Sequence, residues 1–272
     1  MASSSSNPAF TNSPAFSTRQ ATARQLVPAT STLTAEQLNE MYESPAATSA
    51  DTGRMSYEDT IVKIVSSFAI LLGGAAVGWF VPVLLVPAMI VGFVLALVNI
   101  FKKKPSPALV LSYAAVEGVF IGGISSFFQQ VYPGIVVQAV IGTLIVVGVT
   151  LALFASGKVR ASKKATKVFM IAMIGYLVFA LINFGLIATG VNTAPFGLRS
   201  LEILPGVPLG AIIGIVVILL AAYSLVLDFD SIKTGVERGA PRVYGWTAAF
   251  GIMITVVWLY LEILRLLAIF RE

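Results

Sequence analysis

The sequence contains no cysteine and no histidine, and only 11% of its 272 residues are charged. Without cysteine the chain can form no disulfide and has no thiol chemistry. Without histidine it lacks the commonest metal ligand and the side chain that ordinarily titrates near neutral pH, so any pH response in that range must rest on carboxylates. Hydrophobic residues make up 57% of the chain. A soluble domain cannot bury that share, so the composition predicts an integral membrane protein.

Several functional motifs are absent as well. The sequence shows no phosphate-binding glycine loop, no nucleophile placed beside a base and no metal-ligand cluster other than carboxylates. The net charge of +5 comes from basic residues in a few short polar breaks, a pattern typical of membrane topology rather than of nucleic-acid binding. We therefore expect no enzyme, no cofactor and no nucleic-acid partner, and we expect the lipid bilayer as the surrounding medium.

Residues 1–56 differ in composition from the rest of the chain. They are rich in Ser, Thr, Ala, Asn and Pro, which predicts a disordered tail because such a segment buries too little apolar area to fold. Within this tail, the stretch that begins Thr34-Ala35-Glu36-Gln37 resembles a helix N-terminus and predicts a short helix to about Glu43. The sequence thus divides into a cytoplasmic tail, 1–56, and a membrane domain, 57–272.

Seven apolar segments follow the tail. A helix needs about 20 residues to cross the hydrocarbon core of a bilayer. The first run, Ile61–Phe101, is twice that length and breaks at Gly78–Pro82, which predicts a helical hairpin with a tight turn. The sequence therefore predicts an all-α membrane protein with seven transmembrane helices. The other five segments span about Pro107–Phe128, Ile135–Ser156, Val168–Thr189, Val207–Asp228 and Thr247–Phe270.

Basic residues predict the orientation of these segments. They cluster after the second segment at Lys102–Lys104, after the fourth between Lys158 and Lys167, and after the sixth between Lys233 and Arg242. The breaks after the first and third segments carry none, and the break after the fifth carries only Arg199. Because basic loops stay in the cytoplasm, this alternation predicts a cytoplasmic N-terminus and a C-terminus on the opposite side.

Three acids, Glu117, Asp228 and Glu262, lie inside apolar segments. Ionisable residues in membrane helices are costly and usually serve an ion or proton path. If the sixth helix runs to Arg238 and the seventh starts near Ala248, Asp228 lies about 15 Å and Glu262 about 21 Å from the intervening turn. This arithmetic predicts that the two carboxylates face each other at similar depth. Two such groups in a poorly solvated site cannot both ionise freely, so they would share a proton.

The same spacing allows simpler interpretations. Arg265 follows Glu262 by three residues, one turn along the same helix face, and could neutralise it. Asp228 and Asp230 could mark the cytoplasmic end of the sixth segment. On spacing alone these alternatives stay open beside the proton switch.

Glu117 lies beside Gly118, and Gly118 and Gly122 form a pair of small residues that favours close helix packing. Packing does not require the glutamate itself. We expect Glu117 either to complete an acidic cluster or to accept a hydrogen bond from an interior residue such as Tyr113 or Asn183.

Residues 57–272 resemble the Bax inhibitor-1 family, which includes the YccA-like bacterial proteins. The residues that carry the resemblance are Glu117-Gly118 with Gly122, Asp228 followed by Ile232, Gly239, and the stretch from Trp258 to Arg265. The Ser/Pro-rich tail is similar to that of an actinobacterial subgroup.

The resemblance implies a seven-helix fold with the last helix at the centre, in a bacterial plasma membrane. It also implies a pH-sensitive calcium leak gated by two facing acids in the sixth and seventh helices, at the positions of Asp228 and Glu262. These two residues would then also contact the permeant calcium, with Glu117 and Asp230 as secondary acids along the path. Two departures affect the pair: Glu262 stands where an aspartate is usual, and Asp230 where an amide is common.

Two other functions remain open from the sequence. The protein could regulate other membrane proteins, such as a quality-control protease, with the tail as the binding segment. It could also be a proton-coupled carrier of small solutes, which would show saturable uptake and no passive calcium flux.

Overall fold

The computed structural model describes residues 53–102 and 104–271. The predicted tail helix and all other residues before 53 lie outside this range. Within the range, seven helices are long and apolar enough to cross a membrane, which confirms the predicted all-α architecture. They are α1 Tyr57–Phe80, α2 Leu85–Phe101, α3 Pro107–Val131, α4 Ile135–Ala155, α5 Lys163–Ala188, α6 Leu209–Glu237 and α7 Gly245–Ile269.

The connections between these helices are short. The predicted tight turn between α1 and α2 is a 3-10 helix, Pro82–Leu84. The loop from α5 to α6 is longer and holds a 3-10 helix, Gly197–Ser200, and a small antiparallel sheet of β1, Glu202–Leu204, with β2, Val207–Pro208. A third 3-10 helix, Arg242–Tyr244, leads directly into α7.

The helix pair α1 and α3 is held together by glycines that allow the two backbones to touch. A Cβ atom built on Gly118 would overlap the carbonyl oxygen of Leu71, and one built on Gly122 would overlap that of Ala75. Because packing between apolar helices in lipid depends on such close contact rather than on the hydrophobic effect, this seam fixes α1 on α3. The packing role predicted for Gly118 and Gly122 is confirmed.

Helix α7 lies at the centre of the bundle. It packs against α1, α3, α4 and α6, and 61% of its most apolar stretch is buried, the highest fraction among the described helices. Its residues Ala249, Met253 and Leu259 have no exposed surface at all. The central last helix implied by the family resemblance is therefore observed.

Residues 53–56 run along the loop between α6 and α7. The Met55 amide donates to the Ala240 carbonyl at 2.7 Å, and the Arg242 amide donates to the Gly53 carbonyl at 2.8 Å. We name this segment, Gly53–Ser56, the strap. These residues belong to the segment predicted to be disordered, but their backbone is paired and Met55 is only 4% exposed. We call this end of the bundle the inner end, following the predicted orientation, and the opposite end the outer end.

Candidate functional site

Asp228 lies in the inner half of α6, nine residues before the helix ends at Glu237, and contacts α7. Its Oδ2 atom accepts a hydrogen bond of 2.7 Å from the Thr255 hydroxyl, which lies 3.4 Å from the Ser224 hydroxyl. A Cβ atom built on Gly251 would lie 3.4 Å from Asp228 Oδ1, so the missing side chain of Gly251 leaves room for the carboxylate. No described lysine or arginine forms an ion pair with Asp228. The carboxylate is therefore held by a hydroxyl group and has no basic partner in the described part of the chain.

A cavity of about 350 Å³ leads to Asp228 from the inner end of the bundle. It is lined by residues of α6, α7 and the loop between them, among them Ser231 and Thr247, and by Met55 of the strap. Met55 is buried and lines this cavity, so the strap forms part of the wall of the approach to Asp228 from the inner end.

Glu262 lies in a different environment, towards the outer end of α7. The Tyr176 hydroxyl of α5 and Arg265 Nη1 both donate to its Oε1 atom, the latter at 2.7 Å. Arg199 reaches in from the loop before α6 and places its Nη1 atom 3.6 Å from Glu262 Oε2. Arg199 is 4% and Glu262 2% exposed, so both charges are buried.

Aromatic rings complete the surroundings of Arg199. Its guanidinium lies 5.4 Å from the ring centre of Tyr176 and 5.6 Å from that of Phe179, within the range of cation–π attraction. Its Nη2 atom also donates to the Tyr176 hydroxyl at 2.8 Å. We name Tyr176, Arg199, Glu262 and Arg265 the outer cluster. One carboxylate faces two guanidiniums there, so the cluster carries a formal charge of +1.

The structure separates Asp228 from Glu262, which sequence spacing placed at one depth. Asp228 meets α7 at Gly251 and Thr255, and Glu262 lies seven residues beyond Thr255, about 10 Å along the helix. The reason is the position of the turn. Helix α7 begins at Gly245, not near Ala248, so Glu262 is displaced further from the turn than Asp228.

The two regions are divided by an apolar layer. Leu225 lies one turn outward from Asp228 on α6, Leu259 lies one turn outward from Thr255 on α7, and both side chains are completely buried. The geometry therefore supports the simpler interpretation of Glu262, in which Arg265 neutralises it. The residue of α7 opposite Asp228 is Thr255 and not a second acid.

The other two predicted acids lie apart from these centres. Glu117 of α3 lies against α2, where a Cβ atom on Gly92 would be 3.1 Å from its Oε2 atom, and Tyr113 precedes it by one turn of α3. Asn183, the other partner considered, instead accepts from the Leu198 amide. Asp230 is partly exposed and forms no ion pair with any described residue.

Three residues that contact Asp228 or Glu262 were not predicted from the sequence: Tyr176, Arg199 and Thr255. Thr255 and Tyr176 give no signal because hydroxyl residues are frequent in membrane helices. Arg199 gave such a signal, because it is the only basic residue in the breaks after the first, third and fifth segments.

No group of three or more acidic side chains comes together within residues 53–102 and 104–271. The donor set at Asp228 is one carboxylate and two hydroxyls, which are oxygen ligands of the kind that calcium accepts but too few to enclose it. A donor set of this size suits contact with a passing calcium ion and not a resident metal.

A comparison with protein families matches the model described as "Bax inhibitor 1 like" over residues 7–272, nearly the whole chain. No curated protein matches the sequence significantly.

Proposed function

The chain belongs to the Bax inhibitor 1 like family, and from this premise we propose that it is a proton-controlled cation leak in which Asp228 is the titrating acid and calcium the permeant ion. One observation carries the proposal. The Asp228 carboxylate lies inside a membrane helix and lines the inner cavity, where it accepts a hydrogen bond from the Thr255 hydroxyl and forms no ion pair with any described lysine or arginine. The proton switch predicted for the pair of Asp228 and Glu262 is thereby assigned to Asp228 alone.

The chemistry of such a carboxylate explains why a proton would control it. Protonated Asp228 is neutral and is accommodated by Thr255 and the apolar surroundings. Ionised Asp228 carries a charge that a poorly solvated site tolerates only with water or a cation beside it. Deprotonation therefore favours entry of a cation through the inner cavity.

Glu262 has a different role in this proposal. Arg265 and Arg199 already compensate its charge, so a shared proton is not needed to stabilise it. The formal charge of +1 on the outer cluster repels cations. We infer that the outer cluster is the outer barrier of the path, and that Arg199 must move away from Glu262 for an ion to pass.

The apolar layer at Leu225 and Leu259 is the second barrier. Both residues lie between Asp228 and the outer cluster, where α6 packs on α7. A conducting state then requires α6 and α7 to separate at this level. The described geometry corresponds to the closed state of the proposed path.

Vesicles that contain the purified full chain and a trapped calcium dye test the activity. We expect calcium to enter down its gradient, faster at higher pH, with a rate that rises in proportion to the gradient. A rate that saturates would favour the proton-coupled carrier instead. Calcium entry no faster than in protein-free vesicles at every pH would contradict the proposal.

A further inference from the structure

A second, larger space opens at the side of the bundle, between α1 and α4. These helices lie apart because α3 and α7 pack between them, and the gap has a volume of about 750 Å³. We name it the lateral groove. Its rim includes Leu72 and Leu144, each 65% exposed on surfaces that face lipid in a membrane. The lateral groove is therefore open to the bilayer and is distinct from the inner cavity at Asp228.

The chemistry of the groove walls selects an apolar occupant. No charged side chain lines it. Its three hydroxyl residues already have partners: Ser125 and Tyr260 hydrogen-bond each other at 2.6 Å, and Thr143 donates to the Ala139 carbonyl at 2.7 Å. The groove walls therefore offer an occupant few polar groups, and each of these hydroxyls is already engaged in a hydrogen bond.

The dimensions of the groove match one leaflet of the bilayer. Along α1 it extends from Phe68 to Phe80, which are twelve positions and about 18 Å apart on the helix. Half of the hydrocarbon core is about 15 Å thick. Trp79 and Phe80 lie at the outer end of α1, where aromatic side chains typically mark the membrane–water interface. The groove therefore runs from this interface to the middle of the membrane, as an acyl chain does.

We propose that the lateral groove holds an acyl chain of an outer-leaflet lipid, seated between α1 and α4 against α3 and α7. A space of this size, open to lipid and lined by apolar walls, forfeits dispersion contacts when empty. A single ordered chain restores these contacts on both walls. The occupant is thus a lipid tail and not a helix of a second copy, since the groove is about 18 Å long, one leaflet deep, whereas a transmembrane helix spans the whole hydrocarbon core of about 30 Å.

Photolabelling tests this assignment on the full chain. The protein is reconstituted in vesicles whose phospholipid carries a diazirine in one acyl chain, irradiated, and the labelled peptides are identified by mass spectrometry. We expect label on the groove floor, at Gly122, Ser125 and Tyr260. Ala76→Phe, which places a ring in the groove, should remove this label, and Val77→Phe, its neighbour outside the groove lining, should not.

Two results would overturn the assignment directly, and a third would assign the groove to another occupant. One is a wild-type protein whose floor residues carry no label while the exposed outer face of α5 does. The other is floor labelling that both phenylalanine variants leave unchanged. Because the first result needs only the wild-type chain, the test does not depend on the folding of a variant. If the protein forms a dimer and the groove floor is labelled only after the dimer has been diluted to monomers, a second copy covers the groove. This result would also contradict the proposal.

Discussion

The Thr255 hydroxyl donates a 2.7 Å hydrogen bond to Asp228, so the acid of α6 is paired with a hydroxyl of α7 and not with another acid. This contact favours the ionised form of Asp228, because a carboxylate is the better acceptor. The strength of the bond therefore affects the pH at which the proposed path opens.

Thr255→Val keeps the shape of the side chain and removes the donor. We expect calcium flux in vesicles to begin at a higher pH than in wild type, since the ionised form of Asp228 loses a stabilising partner. Thr255→Ser keeps the hydroxyl and should restore the wild-type profile. A Thr255→Val profile identical to that of wild type would show that this hydrogen bond has no part in gating.

Glu262→Gln should destabilise the fold, because the buried Arg199 then loses its compensating charge. Removal of one partner of a buried ion pair typically costs about 3–5 kcal/mol. Glu237→Gln breaks the exposed pair of Lys233 and Glu237, 3.7 Å apart, and should cost less than about 1 kcal/mol. Unfolding of both variants in mixed micelles measures the difference. Equal stabilities would contradict the assignment of the outer cluster as a buried ionic centre.

The sequence predicted the membrane helices well because long apolar runs and glycine pairs are local signals. It misplaced the partner of Asp228 because that contact depends on where α7 begins, and the 3-10 helix Arg242–Tyr244 makes the turn shorter than expected. Arg199 could not be placed at Glu262 from sequence, since a loop outside the apolar segments carries it into the bundle. Contacts between distant segments therefore needed the structure.

Adjacent glycines of α1 provide a test of the α1–α3 seam. A Cβ atom on Gly74 would overlap the Ala115 carbonyl oxygen, but one on Gly73 would meet no atom within 4 Å. Gly74→Ala should lower the thermal unfolding temperature clearly. Gly73→Ala should leave it unchanged or raise it, since alanine is favoured over glycine in a helix by about 1 kcal/mol. The opposite order would show that the seam is not tightly packed.

Because Met55 of the strap lines the inner cavity, we expect the strap to slow the entry of solutes into it. Because the chain has no cysteine, Ala248→Cys provides a single reactive thiol at a half-buried position of the cavity lining, packed near Met55. We expect Met55→Ala to speed its labelling by a charged, membrane-impermeant thiol reagent, since shortening this buried lining side chain widens the cavity. Ile61→Ala, a change at an exposed position of α1, is the control. Labelling rates that Met55→Ala leaves unaltered would show that the strap does not limit access to the cavity.

The most direct test of the proposed function compares two aspartates on one helix. Calcium flux into vesicles is measured across a range of pH for Asp228→Asn and Asp230→Asn, each with its thermal stability as a check of folding. If Asp228 is the titrating acid, Asp228→Asn loses the pH dependence and Asp230→Asn retains the wild-type profile. A folded Asp228→Asn protein with an unchanged pH profile would contradict the central claim.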